Sequence, residues 1–122
     1  MEWSPDGSTL ATSSDIMDNS VKLWNTETGA LRQSLKGHSE MVSAAAWSPD
    51  GTMLATASHD GTTRLWSNRT GAIIHVLEGH THHVVSVAWT PRGDEVLTAS
   101  EDGTVRIYRV AKRNRSTALS IR

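Results

Sequence analysis

An all-β protein of about three four-stranded antiparallel units is what this 122-residue sequence predicts, and three observations predict it. One turn is written three times, as WSPDG at 3–7, WSPDG at 47–51 and WTPRG at 89–93. A constant step of 42 residues carries Gly37-His38 to Gly79-His80, Trp47 to Trp89, Asp60 to Asp102 and Trp66 to Tyr108. Finally, no segment between the turn signals is long enough for a helix. A period in the forties marks a stack of supersecondary units, none of which buries its apolar faces alone. The first copy follows the same plan: Trp24 lies 42 residues before Trp66, whereas Trp3 lies 44 before Trp47. The two extra residues fall in SSDIMDNS, which reads as a loop insertion.

Within the second copy the elements run MVSAAAW, a SPDG turn, MLATAS, an HDG turn, TTRLW, a SNRTG turn and AIIHVL. Each strand is a short run of Val, Ile, Leu, Ala, Thr or Trp, and Gly, Pro, Asn and Asp fill the breaks. VSAAAW and VVSVAW barely alternate. Strands of that kind are covered on both faces, so each sheet is expected to lie between neighbouring sheets. The first strand of each copy carries the least bulk, with Ala44, Ala45 and Ala46 in one and Ser86 and Ala88 in another, which suits a crowded centre where sheets converge. The three units are read as residues 1–36, 37–78 and 79–122.

These motifs resemble the WD-repeat β-propeller family over roughly residues 1–110. The Gly-His pairs, the Pro49-Asp50-Gly51 turn, the Ser-x-Asp-Gly turns at 58–61 and 100–103, and the closing aromatics Trp24, Trp66 and Tyr108 carry the likeness. Held at constant spacing, they are far more specific than any one of them alone. Asn25, Ser67 and Arg109 stand where the family usually places Asp after the closing Trp. The resemblance implies an all-β partial propeller of about three four-stranded blades. It also implies a hydrogen-bonded tetrad in each blade: His38, Ser58, Asp60 and Trp66 in the second, His80, Ser100, Asp102 and Tyr108 in the third. A buried imidazole donates from one ring nitrogen and accepts at the other, and an indole N–H ends such a chain as a pure donor. Tyr108 places a hydroxyl where an indole N–H is expected, so the third network should be altered. In the first blade Ser14 and Trp24 are present, and Asp15 and Asp18 compete for the acidic place. A His, Ser and Asp set also suggests a hydrolase triad. A catalytic site is made once, however, while this set is made once per repeat, so the structural reading is preferred.

Met1 aligns with Ala45, which shortens the first inner strand to about MEWS and leads us to expect a portion of a longer propeller. At the other end RVAKRNRSTALSIR replaces the usual turn, and STALSI within it is a candidate outer strand. Charge divides along the chain: residues 1–105 carry a net −7 and residues 106–122 a net +6, against an overall −1. A basic end suggests RNA or an acidic partner, and nucleic-acid association is the alternative functional reading. Little aromatic interleaving and no nucleic-acid motif accompany it.

His75, His80, His82 and His83 lie close in sequence, but His80 is claimed by the tetrad and adjacent strand histidines point apart, so no metal and no cofactor is expected. Asn68-Arg69-Thr70 and Asn114-Arg115-Ser116 match the glycosylation acceptor pattern, which is frequent by chance. The chain has no cysteine and no apolar run of membrane-spanning length. An intracellular location, cytoplasmic or nuclear, is expected. No nucleophile elbow, phosphate loop or paired carboxylates outside turns support catalysis. The expected function is therefore a non-catalytic scaffold binding other proteins or peptides through loops before the inner strand and after the second strand. Those loops hold Glu40, Met41 and His59 in one blade and His82, His83 and Glu101 in the next. They vary while the framework repeats, which is where recognition resides. Further blades, from a second copy or another chain, are expected as partners of the terminal sheets.

Overall fold

The computed structural model describes residues 2–13, 19–110 and 119–121. Twelve strands among them form three four-stranded antiparallel sheets. The first sheet holds β1 (Glu2–Trp3), β2 (Thr9–Ser13), β3 (Val21–Asn25) and β4 (Leu31–Leu35). The second holds β5 (Val42–Trp47), β6 (Met53–Ser58), β7 (Thr63–Ser67) and β8 (Ile73–Leu77). The third holds β9 (Val84–Trp89), β10 (Glu95–Ser100), β11 (Val105–Val110) and β12 (Leu119–Ile121). Strands pair in chain order, so each sheet is a meander.

The repeated turn explains why β5 and β6 meet in register. Asp50 Oδ1 accepts from Ser48 Oγ at 2.8 Å, Thr52 N at 3.0 Å and Thr52 Oγ1 at 2.7 Å. Gly51 takes φ of 77°, a left-handed conformation that favours glycine, and donates to the Ser48 carbonyl. Ser4, Asp6 and Ser8 repeat the arrangement. In the third copy Arg92 stands at the Asp position, and Asp94 instead accepts from Thr90 Oγ1 at 3.0 Å. The carboxylate has changed its place but not its work.

Two apolar layers lie between the sheets. Ala11, Val21, Leu23 and Leu35 meet Val42, Trp47, Leu54 and Trp66 in one. Ala55, Ala57, Leu65 and Leu77 meet Val84, Val87, Val96, Tyr108 and Val110 in the other. In β6 every residue from Leu54 to Ser58 is buried, because the middle sheet is covered on both faces. Small inner-strand residues do come together: Ser43, Ala44 and Ala45 of β5 and Ser86 of β9, with Ala11 and Ser13 of β2, line a cavity of about 330 Å³.

The last outer strand lies within STALSI, at its final three residues, Leu119–Ile121, later than the 42-residue step alone would place it. β12 pairs Leu119 with Val110 and Ile121 with Tyr108. In the first two sheets a five-residue turn precedes the outer strand, whereas here residues 111–118 intervene and displace the pairing residues toward the C-terminus.

Candidate functional site

Two constellations occupy the edge of the sheets where β6 turns into β7 and where the chain enters β5 and β9. The first is the tetrad. Trp66 Nε1 donates to Thr56 Oγ1 at 2.9 Å, His38 Nε2 lies 2.7 Å from the same oxygen, and His38 Nδ1 lies 2.9 Å from Asp60 Oδ2. An indole N–H only donates, so the Thr56 hydroxyl accepts there and keeps its own proton for His38 Nε2. The imidazole then carries its proton on Nδ1 and donates it to Asp60. Thr56 and His38 each give and receive once between the donor Trp66 and the acceptor Asp60, so protons point one way along the chain.

Here the expected tetrad needs a correction. The hydroxyl between Trp66 and His38 belongs to Thr56, not Ser58. Ser58 lies two residues on, on the same side of β6, but at the end of the strand. Its hydroxyl donates to the carbonyls of Glu40 and Met41, each at 3.0 Å, and accepts from Asp60 N. Ser58 thus ties down the loop, while Thr56 occupies the strand interior. The third sheet shows the same exchange. His80 lies 3.0 Å from Asp102 Oδ2 and 2.8 Å from Thr98 Oγ1, and Ser100 Oγ donates to the His82 carbonyl at 3.2 Å. Thr12, Thr56 and Thr98 recur in LATSS, LATAS and VLTAS, a signal that was open to sequence reading. Tyr108 does alter the third network, because its hydroxyl donates to the Glu78 carbonyl at 3.0 Å. In the first sheet Trp24 Nε1 donates to Thr12 Oγ1 at 2.9 Å; Ser14, Asp15 and Asp18 lie outside the described residues.

Burial pushes the His38 imidazole below its ordinary value, against the pull of the Asp60 carboxylate. For Asp60, burial works upward but is outweighed by hydrogen bonds from the Thr62 hydroxyl and His38, so its carboxyl titrates below the usual range. Bonds from the Thr104 hydroxyl, Thr81 N and His80 hold Asp102 well below it too. The pair is neutral imidazole and ionised carboxylate. With its hydroxyl fully buried and engaged by the indole, Thr56 has no path to a substrate.

The second constellation is the loop edge itself. Glu40, Met41 and His59, with Asn19 and Ser39, line a shallow cavity of about 430 Å³. His59 N donates to the Met41 carbonyl and Glu101 N to the His83 carbonyl, so each hairpin is bonded to the loop entering its own sheet. His59 and His83 stack across the boundary between the second and third sheets. The His83 Nδ1 atom lies 3.4 Å from Glu101 Oε1 on an open surface. His82 turns away, with Nδ1 3.1 Å from Thr81 Oγ1. Both histidines precede β9 rather than lie in it. Among the described residues no three His, Asp or Glu side chains are placed to hold a metal ion. The Asn68 amide donates to the Gly51 carbonyl at 3.0 Å and its oxygen accepts from Arg32, so this acceptor motif is occupied within the fold; Asn114 lies outside the described residues.

A family model for the "WD domain, G-beta repeat" matches residues 1–25, 29–67 and 71–109. Each of the last two matched units takes the outer strand of one sheet and the first three strands of the next. Among curated proteins, mouse Coronin-7 is 48% identical over 52 residues, which are 43% of this chain and 5% of that protein. The rice small ribosomal subunit protein RACK1y is 41% identical over 63 residues, 52% of this chain and 19% of that protein. Human Enhancer of mRNA-decapping protein 4 is 46% identical over 50 residues, 38% of this chain and 4% of that protein. The chain thus spans less than a fifth of the length of these relatives.

Proposed function

The chain belongs to the WD-repeat family, and we propose that it is a non-catalytic scaffold segment that captures partner proteins or peptides on the loop edge formed by Glu40, Met41, His59, His82, His83 and Glu101. WD-repeat relatives are generally protein-interaction scaffolds. One observation carries the reading for this chain: the framework repeats from sheet to sheet while the loop residues differ, Glu40, Met41 and His59 lining one shallow cavity and the His59–His83 stack linking it to the next loop, where His83 meets Glu101. Side chains that contribute little to packing and vary on a rigid frame are suited to recognition. On this reading His38, Thr56, Asp60 and Trp66 brace the frame, with His80, Thr98 and Asp102 doing the same in the third unit. The names of the relatives, a ribosomal subunit protein and an mRNA-decapping enhancer among them, support an intracellular site of action.

The test uses the full chain immobilised against a displayed library of random peptides. Selected peptides are then measured against a variant carrying Glu40→Ala, His59→Ala, His83→Ala and Glu101→Ala. Binding should fall at least tenfold while far-UV circular dichroism stays unchanged. Peptides that bind the variant as well as the parent would place recognition elsewhere.

A further inference from the structure

The histidine pair at the rim is no part of the repeating frame. One period before His83 stands Met41, and one period after His59 stands Glu101, so neither neighbouring copy writes the same pair. Packing nevertheless seats it firmly. A Cβ on Gly61, at φ of 88°, would come within 3.3 Å of the His80 carbonyl oxygen, so the hairpin carrying His59 rests directly on the loop carrying His83. Solvent still reaches the rings, the His83 side chain being 42% exposed. Histidine is the side chain whose charge changes between about pH 5 and 8, and here two of them lie face to face.

Fixed charge around the pair has one sign. Segments 38–41, 59–62, 80–83 and 101–104 make this edge, and they contain Glu40, Asp60, Glu101 and Asp102 but no Lys or Arg. Asp60 and Asp102 turn inward to His38 and His80. Glu40 borders the cavity beside His59, and the exposed Glu101 places Oε1 3.4 Å from His83 Nδ1. His82 turns to Thr81, while the Arg64 and Arg106 guanidinium groups lie against Gly37 and Gly79, beside the tetrads. Among the described residues, two open carboxylates thus flank the stack, with no Lys or Arg on the edge to pair with them. Such a surface is complementary to a segment bearing Lys or Arg.

Protonation reverses that advantage in two steps. A proton on His83 turns its contact with Glu101 into an ion pair, which withdraws the carboxylate from a ligand. A second proton, on His59, sets two parallel cations with centroids 4.1 Å apart, where like charges repel and drive the stack open. Resting on the scaffold reading above, we propose that the loop edge takes a basic peptide at neutral pH and releases it on acidification, with the His59–His83 stack as the gate.

Peptides are selected from a random displayed library on the immobilised full chain at about pH 7.5, and the tightest binder is then measured at about pH 7.5 and about pH 5.5. Selected peptides should be enriched in Lys and Arg, and binding should weaken at least tenfold at the lower pH. In a chain carrying both His59→Gln and His83→Gln the ratio between the two pH values should shrink to under about twofold, whereas weakening caused by unfolding through His38 would persist. The free chain gives a second readout: in an NMR titration the His59 and His83 ring protons should titrate as a coupled pair, each altered when the other ring is replaced by Gln. Enrichment in acidic or uncharged residues would overturn the basic ligand. A pH ratio that survives the double variant, or two rings that titrate independently, would overturn the gate; these outcomes leave the scaffold reading standing. Peptides that bind equally well after alanine replaces Glu40, His59, His83 and Glu101 would overturn that reading and this one with it.

Discussion

The imidazole of His59 lies flat against that of His83, with ring centroids 4.1 Å apart and planes within 1° of parallel. One ring belongs to the β6–β7 hairpin and the other to the loop entering β9, so the contact joins two sheets at their rim rather than through their core. Stacked aromatic pairs contribute about 0.5–1.5 kcal/mol. At this open edge His59→Ala should cost under about 1 kcal/mol in urea unfolding. A loss above about 2 kcal/mol would make the stack part of the frame and remove His59 from the recognition edge.

Thr56 and Ser58 are separated by the bonds they make. Thr56→Val leaves the Trp66 indole N–H and a ring nitrogen of His38 unpaired in a buried layer, which should cost about 2–4 kcal/mol. Asp60→Ala, which strands His38 Nδ1, should cost on the order of 2–4 kcal/mol as well. Ser58→Ala removes one hydroxyl from the loop and should cost about 1 kcal/mol. A urea midpoint for Ser58→Ala that falls below that of Thr56→Val would restore the serine to the tetrad.

The tetrad should also make the fold acid-sensitive. His38 titrates below its ordinary value in the fold, because burial disfavours the imidazolium. Below about pH 6.5 the unfolded chain therefore binds a proton that the folded chain does not, so stability falls as pH falls toward the folded value. Asp60, also lowered, adds a second loss that begins below about pH 4. Urea midpoints should drop between about pH 7.5 and about pH 5, and His38→Gln should flatten that segment while leaving the more acidic one. A midpoint that rises over the same interval would mean that the buried imidazole is charged.

In the third sheet the tyrosine gives the opposite sign. Burial raises the Tyr108 phenol, with Arg106 and Thr98 pulling the other way. Its contribution is complete below about pH 10 and is lost as pH climbs through the raised folded value. Tyr108→Phe should cost about 1 kcal/mol near neutrality, for the bond to the Glu78 carbonyl, and should remove that alkaline sensitivity. Thermal melts of both proteins across alkaline pH check it; parallel curves would show that the phenol does not titrate with unfolding.

Much of this was readable in the residues. Turns written in Pro, Asp and Gly and strands written in Val, Ala and Thr report local backbone preference, which is why the three-sheet architecture followed from the 42-residue step. Thr56 was harder, because period-two alternation places it on the same side as Ser58 and the serine lies nearer the aspartate in sequence. Both are fully buried, and what separates them is what each meets: Thr56 the Trp66 indole and His38, Ser58 the carbonyls of Glu40 and Met41. The His59–His83 stack had no local signature at all, since it depends on how two separate loops are brought together by packing between sheets. Asn68 shows the converse: its acceptor motif was legible, and its engagement by Arg32 and Gly51 was not.

Sequence repeat and sheet are out of phase here, since each of the last two matched units begins with an outer strand and finishes with the three inner strands of the following sheet. Tandem duplication of any 42-residue stretch, wherever its ends fall, therefore inserts one complete sheet: the severed strands find equivalent partners one period away. Growth of such a gene need not respect structural boundaries to yield a foldable product. Length changes confined to a turn, such as the two extra residues that set Trp3 44 rather than 42 before Trp47, leave the four strands of the sheet paired in order, so strand pairing rather than strict spacing is what such growth must preserve.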